Sequence, residues 1–204
     1  TQNQSSAASD VYKRQTHGKP STINAHPHSS DNVSVVHNGI IENSTILKKI
    51  LEKKGYKFKS QTDTEVIVHL VTDYLKKNNL KDTIIKVLKK LHGSFALGII
   101  FKDQPDLIIG ARRGSPLAVG YGPDEHYLGS DSYALKSMTN KISYLNDGEF
   151  CILKKDQVEF FDSDGIKTNK EVLNLSKDEQ NYEKGQYKYF MAKEIDEQPV
   201  TIKN

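Results

Sequence analysis

A chain of 204 residues, 36% hydrophobic and 27% charged, has the balance of a globular protein long enough to bury a core without a disulfide or metal staple, which sets aside fibrous and disordered classes. Lys and Arg number 29 against 26 Asp and Glu, a formal net charge of +3, and the lysines lie in helical segments without interleaved aromatics, so no nucleic-acid stripe is indicated. No apolar run approaches the roughly 20 residues of a membrane span, and the polar start has no signal-peptide centre. The lone cysteine, Cys151, forms no intramolecular disulfide and suits a reducing cytoplasm.

Residues 1–15 (TQNQSSAASDVYKRQ) lack periodicity and are expected to be a disordered or foreign segment; SSAASDVYKRQ resembles a translated adapter sequence. Residues 34–37 (SVVH) read as a short strand running into Asn38-Gly39, a turn-prone pair. Asn43 or Ser44 is placed to cap a helix whose apolar stripe is Ile46, Leu47, Ile50 and Leu51, ended by Gly55. Residues 56–58 suggest another strand. Thr62-Asp63-Thr64-Glu65 has the form of a capping box before Val66, Ile67, Leu70, Val71, Tyr74 and Leu75 at helical spacing. A third helix is expected over about 81–91, with Gly93 just past its end.

Beyond Gly93 the period becomes extended. Segments at 94–101, 107–111, 117–121, 127–130, 142–145, 149–153 and 157–161 read as strands, the last two forming a hairpin across Lys154-Lys155-Asp156. Helices segregated from strands indicate an α+β layered fold. From 171 to 204 the chain is polar, with a possible helix at 189–195, and reads as a domain end and linker leading elsewhere.

Four of the seven histidines, His17, His26, His28 and His37, fall in the polar stretch 16–63. Three readings fit them: a zinc site, though neither H-E-x-x-H spacing nor a supporting cysteine is present; loop residues satisfying backbone; or the wall of a pocket for a small zwitterion, with Asn38 and the Gly39 N–H as donors to a developing oxyanion. Gly beside Asn would allow close backbone approach.

Thr16-His17-Gly18-Lys19-Pro20-Ser21, Asn24-Ala25-His26-Pro27-His28, His37-Asn38-Gly39-Ile40-Ile41-Glu42-Asn43 and Thr62-Asp63-Thr64-Glu65, followed by Ala111-Arg112-Arg113-Gly114-Ser115-Pro116-Leu117, Gly129-Ser130-Asp131 and Lys193-Glu194-Ile195-Asp196-Glu197-Gln198-Pro199, together resemble the amidotransferase domain of the glutamine-fructose-6-phosphate aminotransferase family. The resemblance implies a four-layer α/β/β/α sandwich of the N-terminal-nucleophile hydrolase type, lacking its first strands, over 16–170. Residues 171–204 would then be the domain's end and a linker toward an absent sugar isomerase domain. It implies Asn38 and Gly39 as oxyanion hole, Thr16, His17 and His26 lining the glutamine pocket, and Asp63 gripping the α-amino group, left free because Thr62 supplies the helix cap. It also implies L-glutamine as substrate, fructose 6-phosphate on a separate domain, a homodimer when intact, and neither cofactor nor metal. Arg112 and Arg113 are equally well read as a solvated strand end or as structural groups beside the pocket.

The family's nucleophile is an N-terminal cysteine; residue 1 here is Thr, in the segment read as foreign. The arginine, tryptophan and alanine the family has before THG are replaced by Lys13, Arg14 and Gln15. Cys151, among Phe150, Ile152 and Leu153, reads as a buried structural thiol. The chain is therefore expected not to turn over glutamine. A non-catalytic glutamine-binding or interaction module and a His-rich metal hydrolase stand as alternatives.

Overall fold

Residues 33–41 carry the pattern that organises the molecule. Val33, Val35, His37 and Ile41 are buried while Val36, Asn38 and Ile40 between them are exposed, as in a strand with one face on a core. In a computed structural model of the chain, the described residues are Lys19, 21–175, 189, 191, 192, 195, 196 and 198. After a 3-10 turn at Thr22–Asn24, the elements in chain order are β1 (His28–Ser29), β2 (Val33–Ile41), α1 (Ser44–Lys53), α2 (Thr64–Leu75), α3 (Leu80–Lys90), β3 (Gly93–Phe101), β4 (Gln104–Arg113), β5 (Ala118–Tyr121), β6 (His126–Gly129), α4 (Ser132–Leu135), β7 (Lys141–Tyr144), β8 (Phe150–Leu153), β9 (Val158–Phe161), β10 (Lys167–Thr168) and β11 (Leu173–Asn174).

The strands form two antiparallel sheets, ordered β1-β2-β3-β4-β8-β9-β10 and β11-β7-β5-β6. β2 pairs with β3 along its whole length, from Val33↔Phe101 to Ile41↔Gly93, whereas β1 pairs with β2 only at Val35 and Ser34. Helices α1, α2 and α3 cover one face of the larger sheet, where Val35, Leu97, Ile99 and Ile109 meet Leu51, Ile67, Val71 and Val87. Its other face packs on the smaller sheet through Ala96, Cys151 and Phe160 against Leu117, Val119 and Leu145. The fourth layer among the described residues is α4, whose Leu135 closes a small cluster with Ala118 and Ile142. The smaller sheet stops at β6 and leaves Val36, Ile40 and Ile100 of the larger one exposed.

The strands from 93 to 161 fall where the extended period put them, and β8 and β9 form the expected hairpin. Several local expectations are overturned. Asn38-Gly39 is no turn; β2 runs straight through it to Ile41. Residues 56–58 form no strand; Tyr56 and Phe58 instead set their rings against His69, with centroids 5.1 and 4.7 Å away. Asn43 precedes α1 without capping it, because its side chain donates to the Lys90 carbonyl and accepts from the His92 N–H, joining the start of α1 to the end of α3. The stripe on α1 is narrower than four residues: Leu47 and Leu51 are buried, Ile46 and Ile50 exposed. The segment 1–15 lies outside the described residues, and of the helix expected at 189–195 only 189, 191, 192 and 195 are described, with 191, 192 and 195 helical.

That division of the stripe gives a direct test. By urea unfolding, Leu47→Ala is expected to cost about 2–5 kcal/mol, and Ile46→Ala, one residue away, less than about 0.5 kcal/mol. Equal losses would show that both isoleucine and leucine are packed.

Candidate functional site

Gly39 sits mid-strand with φ +136°, and a Cβ there would stand 2.1 Å from the Ser94 carbonyl oxygen and 2.8 Å from Phe95 Cα. Only glycine fits both the dihedral and the space. The close approach is thus to the β3 backbone, not to a ligand. Asn38, opposite Ala96 in the ladder, points its exposed side chain to the inter-sheet face, while the buried His37 points toward the helices.

The TDTE segment reaches β2 from the start of α2. The Ile41 N–H donates to Asp63 Oδ2 at 2.7 Å, and Asp63 Oδ1 lies 3.8 Å from His37 Nδ1. Asp63 is therefore not the free carboxylate that a Thr62 cap would leave. The capping box is absent: Thr62 Oγ1 bonds His28 Nε2 at 2.9 Å and the Ser60 hydroxyl at 3.0 Å, and Glu65 turns back to accept from the Lys59 and Ser60 N–H groups and the Ser60 hydroxyl. Tertiary partners have taken the groups that a local cap needs.

His26, half-buried after the 3-10 turn and joined to Pro27 by a cis peptide bond, bonds Thr64 Oγ1 through Nε2 at 3.0 Å; His37 Nδ1 reaches the same hydroxyl at 3.1 Å. Three histidines thus each meet a threonine hydroxyl. Among the described residues no three His, Cys, Asp or Glu side chains converge as metal ligands do. Asn24 braces the loop, donating to the Lys19 carbonyl and accepting from the Gln61 N–H.

Asn38, His26 and His37 line one side of a cleft of about 210 Å³; Ala96, Gly98, Leu117, Leu128, Gly129 and Ser130 are among its other lining residues. The floor is largely apolar, with the histidines and Asn38 on one side and Ser130 on the other, the usual character of a small-molecule site. Structure thus brings His26, Asn38, Gly39 and Asp63 together around the C-terminal half of β2. Thr16 and His17 lie outside the described residues.

Both arginines prove structural. Arg113 donates to the Leu91 and Leu88 carbonyls at the end of α3 and lies 5.3 Å over the Phe95 ring, and Arg112 donates to the Leu145 carbonyl. Cys151 is fully buried between the sheets, and that burial pushes its thiol up to about 12, which leaves it no thiolate at neutral pH. Sequence reasoning missed Thr64, the Ser60–Thr62–His28 chain, and Leu128 and Ser130 on the facing sheet. Thr64 stands inside the TDTE motif, but a threonine in a helix's first turn carries no ligand signature in the sequence.

A glutamine amidotransferase domain family model matches residues 17–137. Glutamine-fructose-6-phosphate aminotransferases (isomerizing) from Bradyrhizobium diazoefficiens and Clostridium acetobutylicum are 48% identical over 188 residues and 49% over 191, covering 92% and 93% of this chain. The chain spans 31% of the length of either relative. Among solved structures, glutamine phosphoribosylpyrophosphate amidotransferase from B. subtilis superposes with a TM-score of 0.58 at 29% identity, over 70% of this chain and 32% of that one. A glutamine aminotransferase class-II domain protein from Silicibacter pomeroyi, 13% identical, shares the fold at a TM-score of 0.50 over 68% of this chain and 69% of that one.

The acid limb of stability follows from the network behind the site. Burial favours neutral Glu65, but the donors at Lys59 and Ser60 outweigh it and hold the carboxyl below its usual value; burial likewise pushes His69 down, opposed by Glu65. A depressed folded value contributes stability above the unfolded value and loses it as pH falls toward the folded one. Tm should therefore begin to fall just below the ordinary histidine range and fall further below the ordinary carboxylate range. Glu65→Gln should flatten the second step, below the ordinary carboxylate range; an unchanged step would place the acid sensitivity elsewhere.

Proposed function

This chain belongs to the glutamine amidotransferase domain family, and on that premise we propose that it is the glutamine-handling part of a glutamine-fructose-6-phosphate aminotransferase, which releases ammonia from L-glutamine for glucosamine 6-phosphate synthesis. The observation that carries this reading is the placement of Asn38 in the wall of a largely apolar cleft, with Gly39 next to it on the part of β2 beyond its pairing with β1. Identity of 48% over 92% of the chain favours the fructose-6-phosphate enzymes over the phosphoribosylpyrophosphate type, at 29% over 70%.

When a nucleophile adds to the glutamine amide carbon, the carbonyl oxygen takes on negative charge. The Asn38 amide N–H and the Gly39 N–H are the donors proposed to hold it, a preorganised pair worth about 10²–10³ in rate per donor. Glu42 N–H donates to His92 on the β3 side and Ile41 N–H the opposite way to Asp63, so strand alternation assigns the Gly39 N–H to the open edge. Asp63 Oδ2 holds the strand, and Oδ1, which faces His37 Nδ1 at 3.8 Å, is the oxygen proposed to receive the α-ammonium of glutamine. Thr16, His17 and His26 complete the pocket wall in this reading. The nucleophile is a thiol the 204 residues do not supply, since Cys151 is sealed in the core. Fructose 6-phosphate binds a separate domain of the whole enzyme, a cytoplasmic homodimer in this proposal. Among the described residues no helix is long and apolar enough to cross a membrane.

The chain as it stands should bind L-glutamine in calorimetric titration yet release no ammonia above a buffer control. Replacing residues 1–15 with a cysteine-initiated family segment should restore release, and Asn38→Ala should then lower kcat about 10²-fold or more. Ammonia from the unaltered chain would refute the missing-thiol reading; restored activity indifferent to Asn38→Ala would refute the oxyanion assignment.

A further inference from the structure

The Thr64 hydroxyl lies between two imidazoles from separate parts of the chain, 3.0 Å from His26 Nε2 and 3.1 Å from His37 Nδ1. A hydroxyl carries one proton and so donates to one partner only; from the other it must accept. The two contacts are thus coupled: whichever nitrogen carries a proton, the other cannot use the same hydroxyl in the same sense.

Asp63 sets the direction. Its Oδ1 lies 3.8 Å from His37 Nδ1, and both side chains are almost wholly buried. A lone pair on Nδ1 would face that carboxylate, whereas an N–H dipole is attracted to it. His37 Nδ1–H therefore donates to Thr64 Oγ1, and the Thr64 hydroxyl donates onward to His26 Nε2. His26 is left without a proton on Nε2, which makes its neutral form the Nδ1–H tautomer, the less common one for free histidine.

We infer that Thr64 is a positioning residue whose hydroxyl passes the orientation of the Asp63–His37 pair to His26, fixing which ring nitrogen the cleft wall carries protonated. His26 lines the cleft with Asn38, whereas His37 is adjacent to Asn38 in the strand, so one hydroxyl ties both sides of the candidate oxyanion donor. The relay stands on geometry alone; its effect on ligand affinity rests on the glutamine-binding reading above.

Long-range ¹H–¹⁵N correlation spectra of the labelled chain read the tautomers directly. The unaltered chain and Thr64→Ser should both show His26 protonated at Nδ1 and bare at Nε2, and Thr64→Val, which keeps the shape and removes the hydroxyl, should return His26 to the Nε2–H form. Glutamine Kd should rise about tenfold in Thr64→Val and less than about twofold in Thr64→Ser. A protonated His26 Nε2 in the unaltered chain overturns the relay, as does an Nδ1–H tautomer that survives in Thr64→Val. If Thr64→Val does not fold, the spectra of the other two chains decide. Unchanged affinity in a Thr64→Val chain whose tautomer has switched would overturn its part in the pocket. Absence of glutamine binding by the unaltered chain would refute the proposed function instead, with the relay judged on the spectra.

Discussion

The N–H of Ile41 donates to Asp63 Oδ2 at 2.7 Å across 22 positions of sequence, with both groups buried. A strand N–H beyond its ladder partner and a carboxylate at a helix start would each be costly in a core, and each satisfies the other. A charged hydrogen bond of this kind contributes about 1.5–3 kcal/mol. Its larger consequence is geometric: it clamps the first turn of α2 to the end of β2, so that Thr64 arrives beneath His37 and the C-terminal half of β2 stays extended beyond β1.

The rest of the site depends on that extension. Gly39 holds a conformation and a spacing against Ser94 that no other residue fits, and the ladder to β3 carries Asn38 to a fixed register opposite Ala96. Rigidity here comes from sheet pairing on one side and the Asp63 clamp on the other. Oxyanion donors gain their effect by being in place before charge develops, and for the proposed pair, Asn38 and Gly39, a mid-strand position serves that better than the turn suggested by the Asn-Gly pair. The arginines contribute at a distance, Arg113 by holding the end of α3 next to the start of β3.

Much of the architecture was legible because period is a property of the chain itself. Strands from 93 to 161 announced themselves through β-branched and aromatic runs broken by Gly, Pro and Asp, and the α3 helix through Ile84 and Leu88. What failed were local rules overridden by distant partners. Thr62 and Glu65 have the spacing of a capping box, yet His28 claims one and the 59–60 loop the other. Ile46 and Ile50 look like core on a helical wheel, but the face α1 buries is only wide enough for Leu47 and Leu51. As for the site, Asn38, Gly39, His26 and Asp63 were selected by resemblance to a family; spacing alone left three readings open. Thr64 escaped notice because a threonine in a helix's first turn has no chemical signature until two imidazoles converge on it.

The central claim is that the open stretch of β2 receives the glutamine amide. A crystal structure of the chain grown with L-glutamine measures it directly. The account requires the side-chain carbonyl oxygen within about 2.7–3.2 Å of both the Gly39 N–H nitrogen and the Asn38 amide nitrogen, with the α-ammonium at Asp63 Oδ1. Glutamine bound elsewhere, or bound here with its amide turned away from β2, would contradict it.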